Sequence, residues 1–293
     1  MNQLQLWIKA VRPYAYSASI IPVAIGGLYA RVLGQDFSVV RFWVALVAGL
    51  LMHTAANLWN DYFDFKSGVD RVGGGEGSGV LVRGEITPRR VFRVASACAF
   101  FSLLAGLWLV YETSGRLLIL YAFGLVGAVF YCAGPRSPKH HALGEIWLFL
   151  TMGVGLTLGG YAAQTGQFSW GAVAAGVPAG LLMTLLLYTN NLRDLASDRA
   201  VGLRTLPMLF SPVEAKVVAG LLLVAAYAMT TWMAATRLVP FAVQLSLLTL
   251  PWAVGWFWQV WKGPVQERHV VGIAMLHLLF GLLFVAGLWM GFS

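Results

Sequence analysis

Five of the six aspartates in this chain lie in two short clusters. The first cluster holds Asp61, Asp64 and Asp70, and the second holds Asp194 and Asp198. Residues three or four apart share one face of a helix, where like charges destabilise one another unless a cation joins them. Acidic side chains are scarce elsewhere in the sequence, so solvated helix ends explain this concentration poorly. The spacing therefore predicts two cation-binding faces.

The cation that suits such faces is Mg²⁺, with Mn²⁺ as a substitute, because Mg²⁺ binds one or two carboxylates together with phosphates and water. We expect Asp61, Asp64, Asp194 and Asp198 to be catalytic through the metal, and Asp70 to be a further metal ligand. Amide and basic side chains accompany both clusters and can hold a diphosphate through charge-assisted hydrogen bonds. For the basic residues alone, solvated helix ends remain an equal alternative. The candidate diphosphate-binding residues are Asn57, Asn60, Lys66, Arg71, Arg83, Asn190, Arg193, Arg199 and Arg204.

The elements that position these clusters belong to a membrane protein. Of the 293 residues, 59% are hydrophobic and 11% are charged, whereas about a quarter of an ordinary soluble domain is charged. A chain of this composition cannot bury its apolar surface in a soluble core. Only helices can satisfy the backbone of such apolar spans within the bilayer. The composition predicts an all-α, polytopic protein with a single transmembrane domain over residues 1–293.

Apolar runs of about 20 residues mark the helices that cross a bilayer. The sequence predicts nine of them, at 14–33, 41–63, 89–111, 116–133, 143–164, 169–190, 212–235, 239–261 and 269–291. With the N-terminus inside, 16 of the 20 basic residues fall on the inner side, so the positive-inside rule predicts N-in and C-out. The polar loops 64–88 and 191–211 then face the cytoplasm from the inner membrane. Their spacing suggests a four-helix pseudo-repeat followed by a ninth helix.

Three further features carry weaker signals. The stretch from Gly73 to Gly79 has no Gly-Lys-Ser/Thr ending and no preceding strand, so it is not a P-loop. A mobile lid over the site and a plain linker are equally good interpretations of it. His53 and His277 lie within predicted spans, where we expect hydrogen-bonded interior histidines.

The two clusters resemble the aspartate-rich motifs of the UbiA superfamily of intramembrane prenyltransferases. The first motif of that family, Asn-x3-Asp-x3-Asp, matches Asn60 and Asp64, but Gly68 stands at the third position and Asp70 follows two residues later. The second motif, Asp-x3-Asp, is intact in the second cluster. This variant is similar to the 1,4-dihydroxy-2-naphthoate prenyltransferase branch of menaquinone synthesis. The similarity extends over residues 7–209.

The resemblance implies a nine-helix bundle that transfers a polyprenyl group from its diphosphate to an aromatic acid with the help of Mg²⁺. In the naphthoate branch the product is demethylmenaquinone, and the carboxyl group of the ring leaves as carbon dioxide. Aromatic faces stabilise the allylic cation of such a reaction, although packing is an alternative role for each ring. The candidate residues of the acceptor or cation pocket are Tyr131, Glu145, Phe149, Tyr161 and Tyr188.

One departure from the family concerns a basic residue. Many members carry Tyr-x3-Lys at the end of the fourth helix, whereas Pro135 stands four residues after Tyr131 here. The candidates to replace the missing lysine are Lys139, His140 and His141.

Other acceptors and another class of function remain open. 4-Hydroxybenzoate, homogentisate or a dihydroxynaphthoate isomer could replace the favoured acceptor. A secondary transporter is the alternative from another class, but transporters bind substrates near the midplane, and this chain has no acidic residue in mid-span. The expected partners are a polyprenyl diphosphate, an aromatic acid and the lipid bilayer, with no nucleic acid.

Overall fold

A computed structural model describes residues 2–71, 77–134 and 137–291 of the chain, without the side chain of Cys132. Helices dominate these residues, and no β-strand element occurs among them, as the composition predicts. The helices in chain order are α1 (Gln3–Val11), α2 (Ser17–Val32), α3 (Val39–Ser67), α4 (Pro88–Glu112), α5 (Arg116–Cys132), α6 (Gly144–Leu148), α7 (Leu156–Thr165), α8 (Trp170–Arg193), α9 (Leu195–Ala200), α10 (Pro212–Ala235), α11 (Leu250–Lys262) and α12 (Glu267–Met290). A π-helical segment, Phe149–Gly155, joins α6 to α7. Short 3₁₀ segments occupy Pro13–Ala15, Pro138–His140, Leu206–Leu209 and Phe241–Thr249.

The described helices include seven that are long and apolar enough to cross a membrane, or eight if the bent pair of α1 and α2 forms one span. The protein is therefore a multi-pass membrane protein. The expected fourth span corresponds to α5, which has 17 residues and is about 26 Å long. The hydrocarbon core of a bilayer is about 30 Å thick. The helix α5 is apolar like the other spans and differs from them in being shorter.

The longest of these helices, α3, carries the first acidic cluster. Its 29 residues extend over about 44 Å, which exceeds the thickness of the hydrocarbon core. The helix ends at Gly68, whose φ of 76° lies in the left-handed region that favours glycine. Because α3 is longer than the membrane is thick, its final turns can hold charged side chains at the membrane boundary.

Glycines allow neighbouring helices to approach closely. A Cβ atom on Gly26 of α2 would lie 1.8 Å from the carbonyl oxygen of Thr157 in α7. A Cβ atom on Gly153 would lie 2.7 Å from the Cα atom of Gly180 in α8. Membrane helices associate through close packing of small residues, since lipid is as apolar as their side chains. These contacts fix α2, α7 and α8 around one large core, to which α10 and α12 also contribute.

Two interruptions distinguish the bundle from straight helices. The chain bends by 47° between α1 and α2, where Arg12 adopts a left-handed φ of 55°. A non-glycine residue in that region costs about 1–3 kcal/mol and persists only when its surroundings hold it. The π-helical segment interrupts the expected fifth span, and such segments occur frequently at functional sites. Both interruptions lie close in sequence to side chains of the candidate site.

Candidate active site

The first acidic cluster lies on the last turns of α3, where it is largely closed off from solvent. Asp61 is 3% exposed and Asp64 is 7% exposed. Asp61 forms an ion pair with Arg12 and accepts a hydrogen bond from the hydroxyl of Ser78, whose backbone N–H also donates to it at 3.3 Å. Buried carboxylates need such partners because an unpaired buried charge is costly. The segment between α1 and α2 therefore reaches the first motif.

A second cation pairs with Asp64. Lys139, from the loop between α5 and α6, forms an ion pair with Asp64 and donates a hydrogen bond to Oδ1 of Asn60 at 2.9 Å. Among the candidates for the lysine missing after Tyr131, the structure brings Lys139 to this cluster. Burial, together with the positive charge of Lys139, lowers the pKa of the neighbouring His140. The neutral imidazole is therefore favoured at His140.

Asp70 folds back onto the same cluster. Its backbone N–H donates to the carbonyl oxygen of Asp64 at 3.1 Å, and the residue is buried. Its Oδ2 atom and the Oδ1 atom of Asp61 lie 2.5 Å and 2.8 Å from the point where a Cβ on Gly77 would stand. Burial, followed by the negative charges of Asp64 and Asp61, raises the pKa of Asp70 to about 7. The structure thus gathers all three acids of the first cluster.

The second acidic cluster extends from the end of α8 into the short helix α9. Arg193 binds Asp194 through two hydrogen bonds, from Nε to Oδ1 at 2.7 Å and from Nη2 to Oδ2 at 2.6 Å. The same guanidinium forms an ion pair with Glu267 at the start of α12. Burial, followed by the negative charge of Asp194, raises the pKa of Asp198 to about 6. Arg193 therefore ties the second motif to α12.

The loop between α5 and α6 contacts the first cluster and the segment that follows the second. Its Lys139 pairs with the first cluster, while the backbone N–H of Ala142 donates to the carbonyl oxygen of Arg204 at 2.6 Å, just beyond the second cluster. Glu145 follows this loop, is 1% exposed, and accepts a hydrogen bond from Nδ2 of Asn191 at 2.8 Å. The two motifs, 130 residues apart in sequence, are thus joined by one short segment.

The remaining candidates for diphosphate binding form two groups. Near the first cluster, Asn57 donates to the carbonyl oxygen of Val11 at 3.2 Å, and Arg83 donates to that of Ser78 at 3.2 Å. At the second cluster, the backbone carbonyl oxygen of Asn190 accepts a hydrogen bond from the backbone N–H of Asp194 at 3.1 Å. Exposed cations at the helix ends can reach a polyanion from the solvent side. These exposed residues are Lys66, Arg71, Arg199 and Arg204.

Two of the predicted aromatic residues lie at the ends of the helices joined by the loop between α5 and α6, and a third, Tyr188, lies in α8. A Cβ on Gly144 would lie 3.6 Å from the ring of Tyr131, which places this ring beside the start of α6. The ring of Phe149 lies 3.2 Å from the Cβ position of Gly180. Tyr188 is fully buried, and its hydroxyl donates to the carbonyl oxygen of Ala215 at 3.0 Å. That hydroxyl therefore joins α8 to α10.

Tyr161 does not belong to this region. It follows Glu145 by sixteen residues, which corresponds to about 24 Å along a helix. Its ring packs against Tyr29, with the ring centroids 6.2 Å apart. Its role in the acceptor pocket stays a prediction.

Four residues contact the site although the sequence analysis predicts no role for them there: Arg12, Ser78, Asn191 and Glu267. Buried carboxylates require cationic partners, so Arg12, a basic residue immediately before Pro13, could have been found among the few available cations. The other three have no comparable signal, since their contacts depend on how distant segments fold together.

The two interior histidines differ in their surroundings. Nδ1 of His53 shares a hydrogen bond with the hydroxyl of Ser19 at 2.7 Å, as expected. The expectation is wrong for His277, because both of its ring nitrogens are buried without a hydrogen-bond partner among the described residues. His277 lies on a face of α12 that packs into the large apolar core with Leu276 and Phe280.

The donor set fits Mg²⁺ in one particular way. No group of three or more His, Cys, Asp or Glu side chains could hold a metal ion alone within the part of the chain that the structure describes. Mg²⁺ commonly binds through one or two carboxylates and completes its shell with water and substrate phosphates. Oxygens of Asp61 and Asp70 lie within 2.8 Å of one common point beside Gly77, and Nη2 of Arg12 lies 3.2 Å from it. The acids therefore suit a metal that arrives with a phosphate ligand.

The glycine-rich stretch between α3 and α4 is described only in part. Residues 72–76 lie outside the described residues, and the expectation of a lid falls largely on them. The described end of the stretch, Gly77 and Ser78, lies directly against Asp61. This end is therefore part of the first cluster.

Known proteins share this sequence pattern. The sequence model of the UbiA prenyltransferase family matches residues 19–270. UbiA prenyltransferase domain-containing protein 1 of Danio rerio is 31% identical over 284 residues, which cover 96% of this chain and 83% of the relative. The protein of the same name in Homo sapiens is 30% identical over 292 residues, which cover 96% of this chain and 82% of that relative.

Solved structures share the fold. A UbiA homolog from Aeropyrum pernix K1, in its apo form, is similar with a TM-score of 0.78 and 19% identity, covering 97% of this chain and 99% of that chain. A UbiA homolog from Archaeoglobus fulgidus bound to GPP and Mg²⁺ is similar with a TM-score of 0.72 and 18% identity. The match covers 98% of this chain and 99% of that chain. At these identities the likeness concerns the fold alone.

Proposed function

The chain belongs to the UbiA prenyltransferase family, whose members transfer prenyl groups, and we propose that it transfers a polyprenyl group from its diphosphate to an aromatic acid. The favoured acceptor is 1,4-dihydroxy-2-naphthoate, which gives the reduced, quinol form of demethylmenaquinone. One observation carries the proposal: the loop between α5 and α6 contacts the first acidic cluster through Lys139 and, through Ala142, the segment that follows the second cluster. A metal-bound diphosphate lying between the clusters would meet acids and cations from both.

The acids can hold the metal and the cations can hold the diphosphate. Bound Mg²⁺, or Mn²⁺ in its place, supplies positive charge that stabilises the departing diphosphate. Arg12, Lys139 and Arg193 are paired with acids of the clusters. Once a metal neutralises those acids, the same cations can donate to phosphate oxygens. The residues that would hold the metal are Asp61, Asp64, Asp70, Asp194 and Asp198.

The reaction balances without a strong protein base. The C–O bond of the prenyl diphosphate breaks, and its electron pair leaves with the diphosphate. The ring carbon that bears the carboxylate forms a bond to the allylic carbon. Carbon dioxide then leaves, and the electron pair of its bond restores the aromatic ring. Tyr131 and Phe149 lie near the start of the fifth span, where aromatic faces can stabilise the allylic cation.

The choice of acceptor rests on the first motif. Gly68 occupies the place of the third acid of the family motif, and Asp70 lies two residues later, as in the naphthoate branch. The acceptors that remain as alternatives are 4-hydroxybenzoate, homogentisate and a dihydroxynaphthoate isomer.

We further propose how the chain lies in the membrane. A single domain over residues 1–293 crosses it nine times, N-in and C-out, with the loops 64–88 and 191–211 on the cytoplasmic side of the inner membrane. The distribution of basic residues, 16 of 20 on that side, supports this orientation. The short helix α5 can cross because bilayers thin locally around short spans.

A panel assay tests the proposal. The purified protein in liposomes receives one labelled polyprenyl diphosphate, Mg²⁺ and each aromatic acid in turn, and the products are identified by mass spectrometry. The proposal predicts a decarboxylated, prenylated naphthalenediol from 1,4-dihydroxy-2-naphthoate. A prenylated product that keeps its carboxyl group, formed from 4-hydroxybenzoate in preference, would instead place the chain in another branch of the family.

A further inference from the structure

The polar face of α3 continues into the membrane beyond the first acidic cluster. His53, Asn57, Asn60 and Asp64 follow one another at steps of three or four residues, and so share one helical face. His53 lies about 12 Å from Asp61 along the helix axis. A buried ionisable residue at membrane depth is a functional candidate by default, because it is costly there.

The bent segment between α1 and α2 covers this face. The carbonyl oxygen of Val11 accepts a hydrogen bond from Asn57 at 3.2 Å. One helical turn further along, the hydroxyl of Tyr16 lies 2.7 Å from Oγ1 of Thr54. Because Thr54 donates its own proton to the carbonyl oxygen of Leu50 at 2.8 Å, Tyr16 is the donor in this pair. The bend thus supplies polar partners for the face of α3.

His53 lies at the inner end of this polar region. Nδ1 of its ring is bonded to the hydroxyl of Ser19 at 2.7 Å, and the edge of the ring meets Tyr16, with the centroids 5.6 Å apart. No hydrogen bond to Nε2 is found among the described residues, and 7% of the residue remains accessible. One ring nitrogen is therefore fixed by the protein, while the other is available to a ligand.

The position of His53 fits the acceptor of the proposed reaction. The prenyl chain is apolar and extends from the diphosphate into the membrane, so the attacking ring must lie on the membrane side of the acids. A hydroxylated aromatic ring needs a hydrogen-bonding group at that depth, since an unpaired hydroxyl is costly there. His53 and Tyr16 lie at that depth on the face that leads to Asp61 and Asp64.

We propose that His53, held through Nδ1 by Ser19, forms a hydrogen bond from Nε2 to a ring hydroxyl of the aromatic acceptor, in a polar pocket that it shares with Tyr16. This inference rests on the proposed function and names the acceptor-binding group of that site. Ser19 is a positioning residue, because it fixes the orientation of the imidazole.

The test separates binding of the acceptor from binding of the donor. His53→Phe keeps an aromatic ring but removes both ring nitrogens. We expect the KM for 1,4-dihydroxy-2-naphthoate to rise about tenfold, the equivalent of one lost hydrogen bond, while the KM for the prenyl diphosphate is unchanged. Ser19→Ala should raise the acceptor KM by a smaller factor. The matched control is His277→Phe, which replaces a buried histidine outside the site and should change neither constant.

Two results would overturn the inference. One is an unchanged acceptor KM in a folded His53→Phe protein. The other is an equal loss of kcat/KM for the acceptor and for the prenyl diphosphate, accompanied by a lower Tm, which would mean that His53 only joins α2 to α3. Calorimetric binding of 1,4-dihydroxy-2-naphthoate to the wild type and His53→Phe proteins separates this inference from the proposed function. Weaker binding to His53→Phe, without any turnover by the wild type, would support the pocket and contradict the reaction.

Discussion

The acids of the two clusters balance their charge in two ways. Asp61, Asp64 and Asp194 each form an ion pair with a basic side chain. Asp70 and Asp198 have raised pKa values, caused chiefly by burial and then by neighbouring acids. At Asp70 and Asp198 metal binding would compete with protons, because ligating carboxylates are deprotonated.

This charge balance predicts a pH dependence of the metal requirement. The pKa of Asp70 is about 7, above its ordinary value, so the protonated fraction of this carboxyl rises as the pH falls below 7. The concentration of Mg²⁺ that gives half activity should then rise by up to about tenfold per pH unit. Below about pH 6, protonation of Asp198, whose pKa is about 6, should raise this Mg²⁺ concentration further. Mg²⁺ titrations between pH 5.5 and about 8 check this, and Asp70→Asn should flatten the curve above about pH 6.

A second prediction separates Asp70 from Asp64. Mg²⁺ commonly retains several waters, so an acid beyond the end of α3 is expected to bind it weakly or through water. Asp70→Ala should therefore raise the Mg²⁺ concentration for half activity more than it lowers the rate at saturating metal. Asp64→Ala should lower the saturated rate itself. Mg²⁺ titrations with prenyl diphosphate in excess measure both quantities. Unchanged metal dependence in Asp70→Ala would reduce Asp70 to an ordinary loop acid.

At the level of elements, the sequence predicted the helices that carry the acids better than the segments that complete the site. The spacing of three and four residues predicts the helical face at the end of α3, whereas the second cluster crosses a break that its spacing does not reveal, because α8 ends at Arg193 and α9 begins at Leu195. The bend at Arg12 and the π-helical segment Phe149–Gly155 lie at or within apolar runs, which give no periodic signal for them. The pairing of Lys139 with Asp64 depends on the path of a loop, which spacing does not encode.

Gly77 offers a test of how the loop after α3 serves the site. A Cβ at this position would lie between oxygens of Asp70 and Asp61, at 2.5 Å and 2.8 Å. Gly77→Ala should displace one carboxylate and raise the half-saturating Mg²⁺ concentration about tenfold, as loss of a supporting group at a metal site does.

The matched control is Gly34→Ala. Gly34 also has a positive φ, of 71°, but a Cβ there would meet nothing within 4 Å. Both substitutions should cost about 1 kcal/mol of stability through the backbone, whereas Gly77→Ala alone should change the metal requirement. An equal effect of the two variants on Mg²⁺ dependence would mean that backbone strain, and not the acids, is responsible.

At the scale of the whole molecule, both clusters must lie on one side of the membrane. Their connection through one loop agrees with the even number of predicted spans between them. Composition and apolar runs sufficed to predict an all-helical membrane protein. They did not predict that α5 is short or that α1 and α2 form a bent pair, because both features depend on packing rather than on hydropathy.

The proposed orientation predicts which loops are accessible from each side. Ser197→Cys lies beside the second cluster, and Gln35→Cys lies in the connection between α2 and α3. In a background with Cys98 and Cys132 replaced by alanine, a membrane-impermeant thiol reagent should label Gln35→Cys in intact cells and Ser197→Cys only after permeabilisation. Labelling of both from outside would contradict N-in, C-out.

The central claim is that both clusters act together on a metal-bound diphosphate. The most direct measurement is the rate of prenyl transfer, with Mg²⁺ and in excess EDTA, for the wild type, Asp64→Asn, Asp194→Asn and the control Asp36→Asn, whose acid is exposed outside the clusters. The account predicts that EDTA abolishes transfer and that each cluster variant loses about two orders of magnitude or more in kcat, while Asp36→Asn keeps the wild-type rate. Full activity in EDTA, or a wild-type rate for either cluster variant, would contradict it.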